Sequence, residues 1–469
     1  MKKINNLLAL LLTAVLTFSS CAQSTTATLV TEGTKESTGA TTAASKTTAA
    51  TKKPSPGDID EDVNFRGETF TFVLLTDYED IDGYGICESE SGDVDLNAAI
   101  RKRNEYIYET FNGKTETVKM SAAALNGALE AGNCEVDFVY APYGAVNTKY
   151  CYDTASLGVD FTQPWWSDIT ADIGACGKSY AMAGGFSFEI YDSLEAIFFN
   201  KEVQKKSASL EEEDFYEFVY NKEWTIDKLF ELSRLAGSEA ETCGFISEKD
   251  GIASLYFSAG QSFISEERTQ NGETTFTNGF NEAADSVTNK IISFFGDSSI
   301  KIGKKTEVLD TFITGKTLFA KATIGDMKKV AEEKMYFGVM PLPSGEETAE
   351  TVTCISADVP FLYVLKSGAS PEYMKYYLDY FARFTYYTIY RDYLNLHKYL
   401  YTMDVESAVM VDYIINSLTY DSARFHGWAD TEEKYISAVL AGENPIEKFR
   451  TELYPSLESA AKEYIENLE

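Results

Sequence analysis

Few residues in this chain could make or break bonds. Its 469 residues include two histidines, His397 and His426, and seven cysteines. No H-E-x-x-H pair, zinc-knuckle spacing or G-x-S-x-G elbow occurs. "TGKT" (Thr314 to Thr317) ends like a phosphate loop, but the glycine required upstream falls on Asp310. "DYEDIDGYG" (Asp77 to Gly85) resembles a calcium loop centred on Gly83. Its first ligand position would then be Tyr78 and its twelfth Ser89, neither of which supplies the carboxylate needed. A glycosidase pair of carboxylates stays open, because an acidic chain offers many such pairs. No catalytic set, metal site or cofactor is therefore expected.

The remaining chemistry belongs to acids and rings. There are 73 Asp and Glu against 41 Lys and Arg, a net charge of -32, with 30 Tyr, 29 Phe and 4 Trp. Such a surface repels a phosphate backbone, so nucleic acid is not an expected partner. The acidity either keeps the protein soluble or attracts a cationic ligand. "DFTQPWWSDIT" (Asp160 to Thr170) sets two tryptophans, Trp165 and Trp166, directly after Pro164. Pro164 fits the first turn of a helix. Neighbouring helix residues point about 100° apart, which would bury one ring and leave the other partly exposed. The pair is either packing or a flat platform for a ligand.

The N-terminus speaks of export. Lys2 and Lys3 precede the apolar run "INNLLALLLTAVLTF" (Ile4 to Phe18), which is short for a membrane span and ends in "SSC". Small residues before Cys21 resemble a bacterial lipobox, with Phe18 departing from the usual aliphatic residue. Cys21 is thus the expected lipid attachment site. The following stretch, Ala22 to Gly57, lacks aromatic residues and is mostly Thr, Ala, Ser and Lys. It cannot bury enough apolar surface to fold and reads as a tether about 30–35 Å in root-mean-square span. The six other cysteines permit many pairings at irregular spacing, or none.

Beyond the tether the pattern is α/β. "ETFTFVLL" (Glu68 to Leu75) reads as a strand, Asp93 to Asn112 as a helix with Leu96, Ile100, Ile107 and Phe111 on one face, and Thr115 to Met120 as a second strand. A short Ala-rich helix and the strand Val136 to Pro142 follow. This order implies a lobe whose ligand loops lie at the strand C-terminal ends. Further on, Thr225 caps a helix, with Trp224 and Leu229 placed as its hydrophobic staple. Ser370 and Pro371 open another, and the C-terminal region is helical in pattern.

In order, the chain shows "GKSYAMAGG…EAIFFNKEV", "EWTIDKLFELSRLA", "SLYFSAGQSF", "FITGKTLFAKATIGDM", "YFGVMPLPSGEE" and "YVLKSGASPEYMKYYLDYFAR". This set resembles the family 1 extracellular solute-binding proteins of bacterial ABC importers, the maltose-binding-protein group in its lipoprotein form. The resemblance implies a two-lobed α/β fold, the type II periplasmic-binding-protein arrangement, with a cleft between lobes joined by a hinge. It implies a signal peptide over 1–20, then the lipidated Cys21 and tether over 21–58. Lobe one would span 59–191, with 344–395 returning to it, and lobe two 192–343 together with C-terminal helices 396–469. Ligand contacts in this family lie at strand ends and crossovers. Here these are Asp77, Tyr78, Tyr143, Glu189, Asp192, Asp326 and Trp428, with Trp165 or Trp166 at the rim if the pair is a platform.

The expected function is capture of a small solute, a carbohydrate by the mix of carboxylates and rings, by a monomer anchored outside the cell membrane that delivers it to an ABC permease. Two other classes stay in view. One is a lipid-anchored glycan hydrolase; the other is a surface lipoprotein without a small-molecule ligand, which a cleft filled by side chains would favour. The anchor is tested by Cys21→Ala. The variant is expected in the medium or as uncleaved precursor; fractionation and migration like the parent would contradict the lipobox reading.

Overall fold

The computed structural model describes residues 60, 62–78, 81–173, 178–239, 242–268, 274–356 and 358–468, all within the compact unit Pro54–Glu469. Cys21, the signal and tether segments and Cys176 lie outside the described residues. Five described cysteines, Cys87, Cys134, Cys151, Cys243 and Cys354, are free thiols. Among the described residues, no helix is long and apolar enough to cross a membrane.

In chain order the elements that position the site begin with β1 (Thr69–Leu75), α1 (Val94–Phe111), β2 (Lys114–Met120), α2 (Ala122–Glu130) and β3 (Phe138–Pro142). A short helix, α3 (Phe188–Asp192), then leads into β4 (Glu195–Asn200). After it come α4 (Ile226–Glu239), β5 (Cys243–Ser247), α5 (Gly251–Ser258), β6 (Ile300–Ile302), β7 (Thr317–Thr323), α6 (Asp326–Glu332) and β8 (Phe337–Met340). The chain returns through β9 (Pro360–Val364) and α7 (Pro371–Thr385), and ends with α8 (Val405–Ile415), α9 (Ser422–His426), α10 (Thr431–Leu440) and α11 (Tyr454–Leu468). Two sheets result, with strand orders β9-β3-β1-β2 and β8-β4-β7-β5-β6. In the first, β1 runs parallel to β2 and β3, and β9 runs antiparallel to β3. In the second, β4 lies antiparallel to both β8 and β7. The β1 strand pairs its first residue with Lys114 and its last with Met120, so strand ends are level at the C-terminal edge.

Lobe one is held by rings and by buried cations, Arg103 foremost. The alternating start of β1 gives way to four buried residues at its end. Phe65, Phe70, Phe72, Phe111, Phe138, Tyr377 and Phe381 form its core, with Phe70 stacked on Tyr377 at 3.8 Å. Asp93 caps α1 by accepting from the amides of Asp95 and Leu96, as its position before an apolar face demands. Arg103, on the buried side of α1, donates to the carbonyls of Gly85 (2.6 Å) and Ile86 (2.5 Å) and to Thr385 Oγ1 (2.8 Å). Its guanidinium also lies 4.0 Å from the Phe381 ring centre. One side chain thus joins α1, the loop before it and α7. Gly85 has φ +101°, and a Cβ there would fall 2.3 Å from the Phe186 carbonyl oxygen, so no other residue fits this loop.

The tryptophan pair belongs to this core. Residues 162–166 form turns, not a helix, and Trp166 makes an isolated bridge to Gly184. The chain therefore bends back after Pro164, and both rings turn inward instead of diverging. Trp165 is 3% exposed and Trp166 5%. The first donates from Nε1 to Asp379 Oδ1 at 3.1 Å beneath the Arg383 guanidinium; the second meets Phe161 and Phe186 edge-on.

Lobe two gathers around Phe199, Phe245, Leu318, Phe319 and Trp224. Thr225 Oγ1 accepts from the Lys228 amide at 3.1 Å, while Trp224 and Leu229 are both buried and the indole donates to the Pro341 carbonyl at 2.8 Å. The C-terminal helices pack here: α8 against β8, and α10 against α5. The chain passes between the two sheets before β4 and again along 341–359, and α7 continues as a helix toward the second sheet's helices. That continuation includes π-helical turns at Tyr386–Tyr390 and Leu396–Tyr401, the second packed against α6 of lobe two.

Arg103→Ala should lower unfolding free energy by about 3 kcal/mol, because it strands two buried carbonyls and removes charge-assisted bonds. Urea denaturation followed by tyrosine fluorescence checks this; a change under about 0.5 kcal/mol would contradict the role assigned to the cation.

Candidate functional site

The cleft is defined by strand ends. The C-terminal ends of β1 and β3 and the start of β9 face it from lobe one; the start of β4 and the ends of β5 and β7 face it from lobe two. The residues expected to line it from sequence divide into three groups.

Some are consumed inside one lobe. Asp77 is exposed, and its Oδ2 accepts from the Ala122 amide at 2.5 Å, so it caps α2 beside Ser121. Glu189 accepts at Oε1 from the amides of Gly83 (2.8 Å) and Tyr84 (3.0 Å) and at Oε2 from the Tyr140 hydroxyl (2.9 Å). Burial pushes its carboxyl up to about 8. It is a clamp on the loop at 83–84. Asp326 turns back to its own strand, accepting at Oδ2 from Thr323 N and Oγ1 at 3.0 Å each. Trp165 and Trp166 are packed in the lobe-one core, 3% and 5% exposed, so neither ring face is open as the platform alternative requires.

Others stand at the junction of lobes. Asp192, at the end of α3, accepts at Oδ1 from Tyr393 Oη at 2.6 Å and lies 3.3 Å from His397 Nε2. Both partners belong to the continuation of α7, so Asp192 ties two of the crossing segments together. Tyr78, 36% exposed, follows β1 at the cleft edge without a hydrogen bond from its side chain among those described.

The third group brings lobes into contact. Tyr143, after β3, shares a hydroxyl bond of 2.6 Å with Tyr464 of α11. Its ring lies 4.5 Å from Phe425 and 5.0 Å from His426. The His426 imidazole is parallel to Trp428 at 4.6 Å and 6° between planes, and 4.2 Å from Tyr464. Two expected ring residues, Tyr143 and Trp428, are therefore gathered at one place. Their intervening space is occupied by His426 and Tyr464.

Sequence reasoning missed the polar half of the site. Lys321 lies within β7 with a side chain 6% exposed, and its Nζ is 2.7 Å from both Glu195 Oε1 and Asp250 Oδ2. Glu195 opens β4 immediately after the crossover, and Ser254 Oγ donates to its Oε1 at 2.9 Å. Arg424 pairs through Nε with Glu432 Oε2 (3.2 Å) and donates from Nη1 to the Cys354 carbonyl (3.0 Å). Asp421 is buried and pushed up to about 6 by desolvation, against the amides of Arg424, Phe263 and Ile264 that it accepts from. A signal existed: a lysine inside "LFAKAT" and a glutamate opening "EAIFFN" are charged residues in strands otherwise buried throughout.

Burial pushes the His426 imidazole down to about 4. The unfolded chain takes up this proton near pH 6.5 and the folded chain only near 4, so the contribution to stability is lost as pH falls through that interval. His426→Phe should flatten the decline in melting temperature between pH 6.5 and 4; an unchanged slope would contradict the packing described. Trp165→Ala and Trp166→Ala should each cost about 3–5 kcal/mol of stability, read by denaturant unfolding. Full stability in either would contradict core placement.

No protein-family model matches the chain, and no curated protein matches it in sequence. Solved structures do. The galacto-N-biose/lacto-N-biose I-binding protein of an ABC transporter from Bifidobacterium longum, in complex with lacto-N-biose, superposes with a TM-score of 0.57 at 10% identity, over 86% of this chain and 99% of that one. UgpB from Mycobacterium tuberculosis, in complex with glycerophosphocholine, gives 0.55 at 16% over 84% and 98%. The GacH receptor of Streptomyces glaucescens, solved with acarbose, gives 0.53 at 13% over 85% and 99%. With that similarity spanning both lobes, the chain has the fold of the two-lobed solute-binding proteins of ABC importers.

Proposed function

We propose that this chain captures a carbohydrate by lobe closure and hands it to an ABC importer. The carrying observation is what stands near the strand ends: rings from both lobes, Tyr143 against His426 and His426 stacked on Trp428, and on lobe two the carboxylates Glu195 and Asp250. Rings cover the C–H face of a pyranose, and carboxylates accept from its hydroxyls. The sugar-bound structures sharing this fold support the reading; the neighbour holding glycerophosphocholine shows that the fold itself selects no single ligand class. Closure works because a solute touching both lobes stabilises the state in which they meet. The reading includes binding without turnover, anchorage through Cys21 on the extracellular face of the cell membrane, and a monomer.

The Tyr143–Tyr464 junction is the observation that favours a surface lipoprotein without ligand, since it fills the aromatic part of the cleft. Against that stand Glu195 Oε2 and Asp250 Oδ1, buried acceptors without a partner, which a protein with no ligand would have reason to remove.

The test is thermal unfolding of the mature chain against a panel of mono- and oligosaccharides, with recovery of the sugar afterwards. At a hundredfold excess over the dissociation constant, a bound sugar should add about 2.7 kcal/mol of stability and be recovered intact. Cleaved sugar would indicate the hydrolase; no shift with any sugar would contradict the carbohydrate reading. Trp428→Ala should weaken sugar binding by about 2 kcal/mol, read by calorimetry. Unaltered affinity in that variant would remove Trp428 from the site.

A further inference from the structure

The lobe-two floor of the cleft is more than a carbohydrate acceptor. Lys321 Nζ bridges one oxygen of Glu195 and one of Asp250. The other oxygen of each, Glu195 Oε2 and Asp250 Oδ1, is buried with no hydrogen-bond partner. Glu195 is 8% exposed, so its free oxygen has no recourse to bulk water. Each carboxylate is thus half satisfied, at one edge, by an ammonium.

Charge then selects what completes it. Three carboxylates, Glu195, Asp250 and Glu432, stand within electrostatic reach of one another, against two cations, Lys321 and Arg424. One negative charge is left over; Glu248, near Asp250, is matched by Lys305. An anionic solute is excluded. A neutral hydroxyl would supply a hydrogen bond and leave the charge uncompensated in a poorly hydrated place. A metal such as calcium needs six to eight oxygens, and two free ones are too few. A protonated amine supplies donors and charge together. Asp250 lies nearer the surface than Glu195, its side chain being 39% exposed. The net charge of -32 would also draw a cationic solute toward the cleft.

We propose that Glu195 and Asp250 form an amine subsite, so that the solute is an amino sugar or a glycan carrying a free amine. The inference rests on the carbohydrate reading and narrows it. The geometry places the amine at the edges of the two carboxylates opposite Lys321.

Calorimetry on the mature chain at pH 7 tests it, with glucosamine, galactosamine and their dimers set against the neutral parents and the N-acetylated forms. The amine-bearing member of a pair should bind on the order of tenfold tighter than both its neutral and its acetylated counterparts. Glu195→Gln and Asp250→Asn should each pull that ratio toward one. If Glu195→Gln loses cooperative unfolding, the more exposed Asp250→Asn carries the comparison. Neutral sugars that bind as well as their amines would overturn the amine subsite and leave the carbohydrate reading standing. A ratio unmoved in a folded Asp250→Asn would equally overturn the subsite. Binding of no sugar, charged or neutral, would overturn the carbohydrate reading itself.

Discussion

A carboxylate taken out of water must be given donors, and the first crossover of this chain carries three acids within seven residues, Glu195 buried and Glu189 and Asp192 partly so. Each is answered by a different part of the molecule. Glu189 takes two amides from the loop after β1 and a hydroxyl from β3. Asp192 takes Tyr393 and approaches His397, on the helix that crosses back between lobes. Glu195 takes Lys321 from the centre of the second sheet. The segment through which one lobe becomes the other is therefore fastened to lobe one, to a second crossing segment and to lobe two in turn. Movement of the lobes has to occur around these bonds, because breaking the Glu195–Lys321 pair would strand a buried charge and breaking the bonds of Glu189 would leave polar groups unsatisfied.

Rings do the remaining work. The helix continuing from α7 stacks Tyr386 on Tyr390, Tyr390 on Tyr393, and Tyr393 on Phe188 of α3 at 4.2 Å. This ladder gives the crossing region stiffness without further charge. At the opposite side of the cleft, Tyr143, His426, Trp428 and Tyr464 join the lobes through ring contacts and the Tyr143–Tyr464 hydroxyl bond. Such contacts can be exchanged for a sugar face at little cost, whereas the carboxylate bonds of the crossover cannot. The division between a fixed hinge and an exchangeable junction follows from this difference in chemistry.

Local rules made much of the framework legible. The Thr225 and Ser370 caps, the burial of Trp224 and the β-α-β-α-β order of lobe one follow from composition and spacing. The site was less legible because an acidic residue at a strand end has two uses that spacing does not separate. Asp77 and Asp326 cap local backbone, whereas Glu195 and Asp250 face the cleft floor, and the distinction lies in which amides lie nearby in three dimensions. The tryptophan pair was misread as opening a helix for a related reason. Pro164 fits a helix start and a turn equally, and the bridge from Trp166 to Gly184, a long-range contact, decides between them. His426 and Tyr464 were invisible as site residues because their neighbours come from distant segments.

The central claim is that two lobes hinged at the 189–195 segment close on a solute. Small-angle X-ray scattering from the mature chain, titrated with a sugar that shifts its melting temperature, tests that claim directly. The account predicts a saturable fall in the radius of gyration that follows the binding isotherm, since closure brings the lobes together. A radius of gyration unchanged at saturation, with binding confirmed in the same sample, would contradict it.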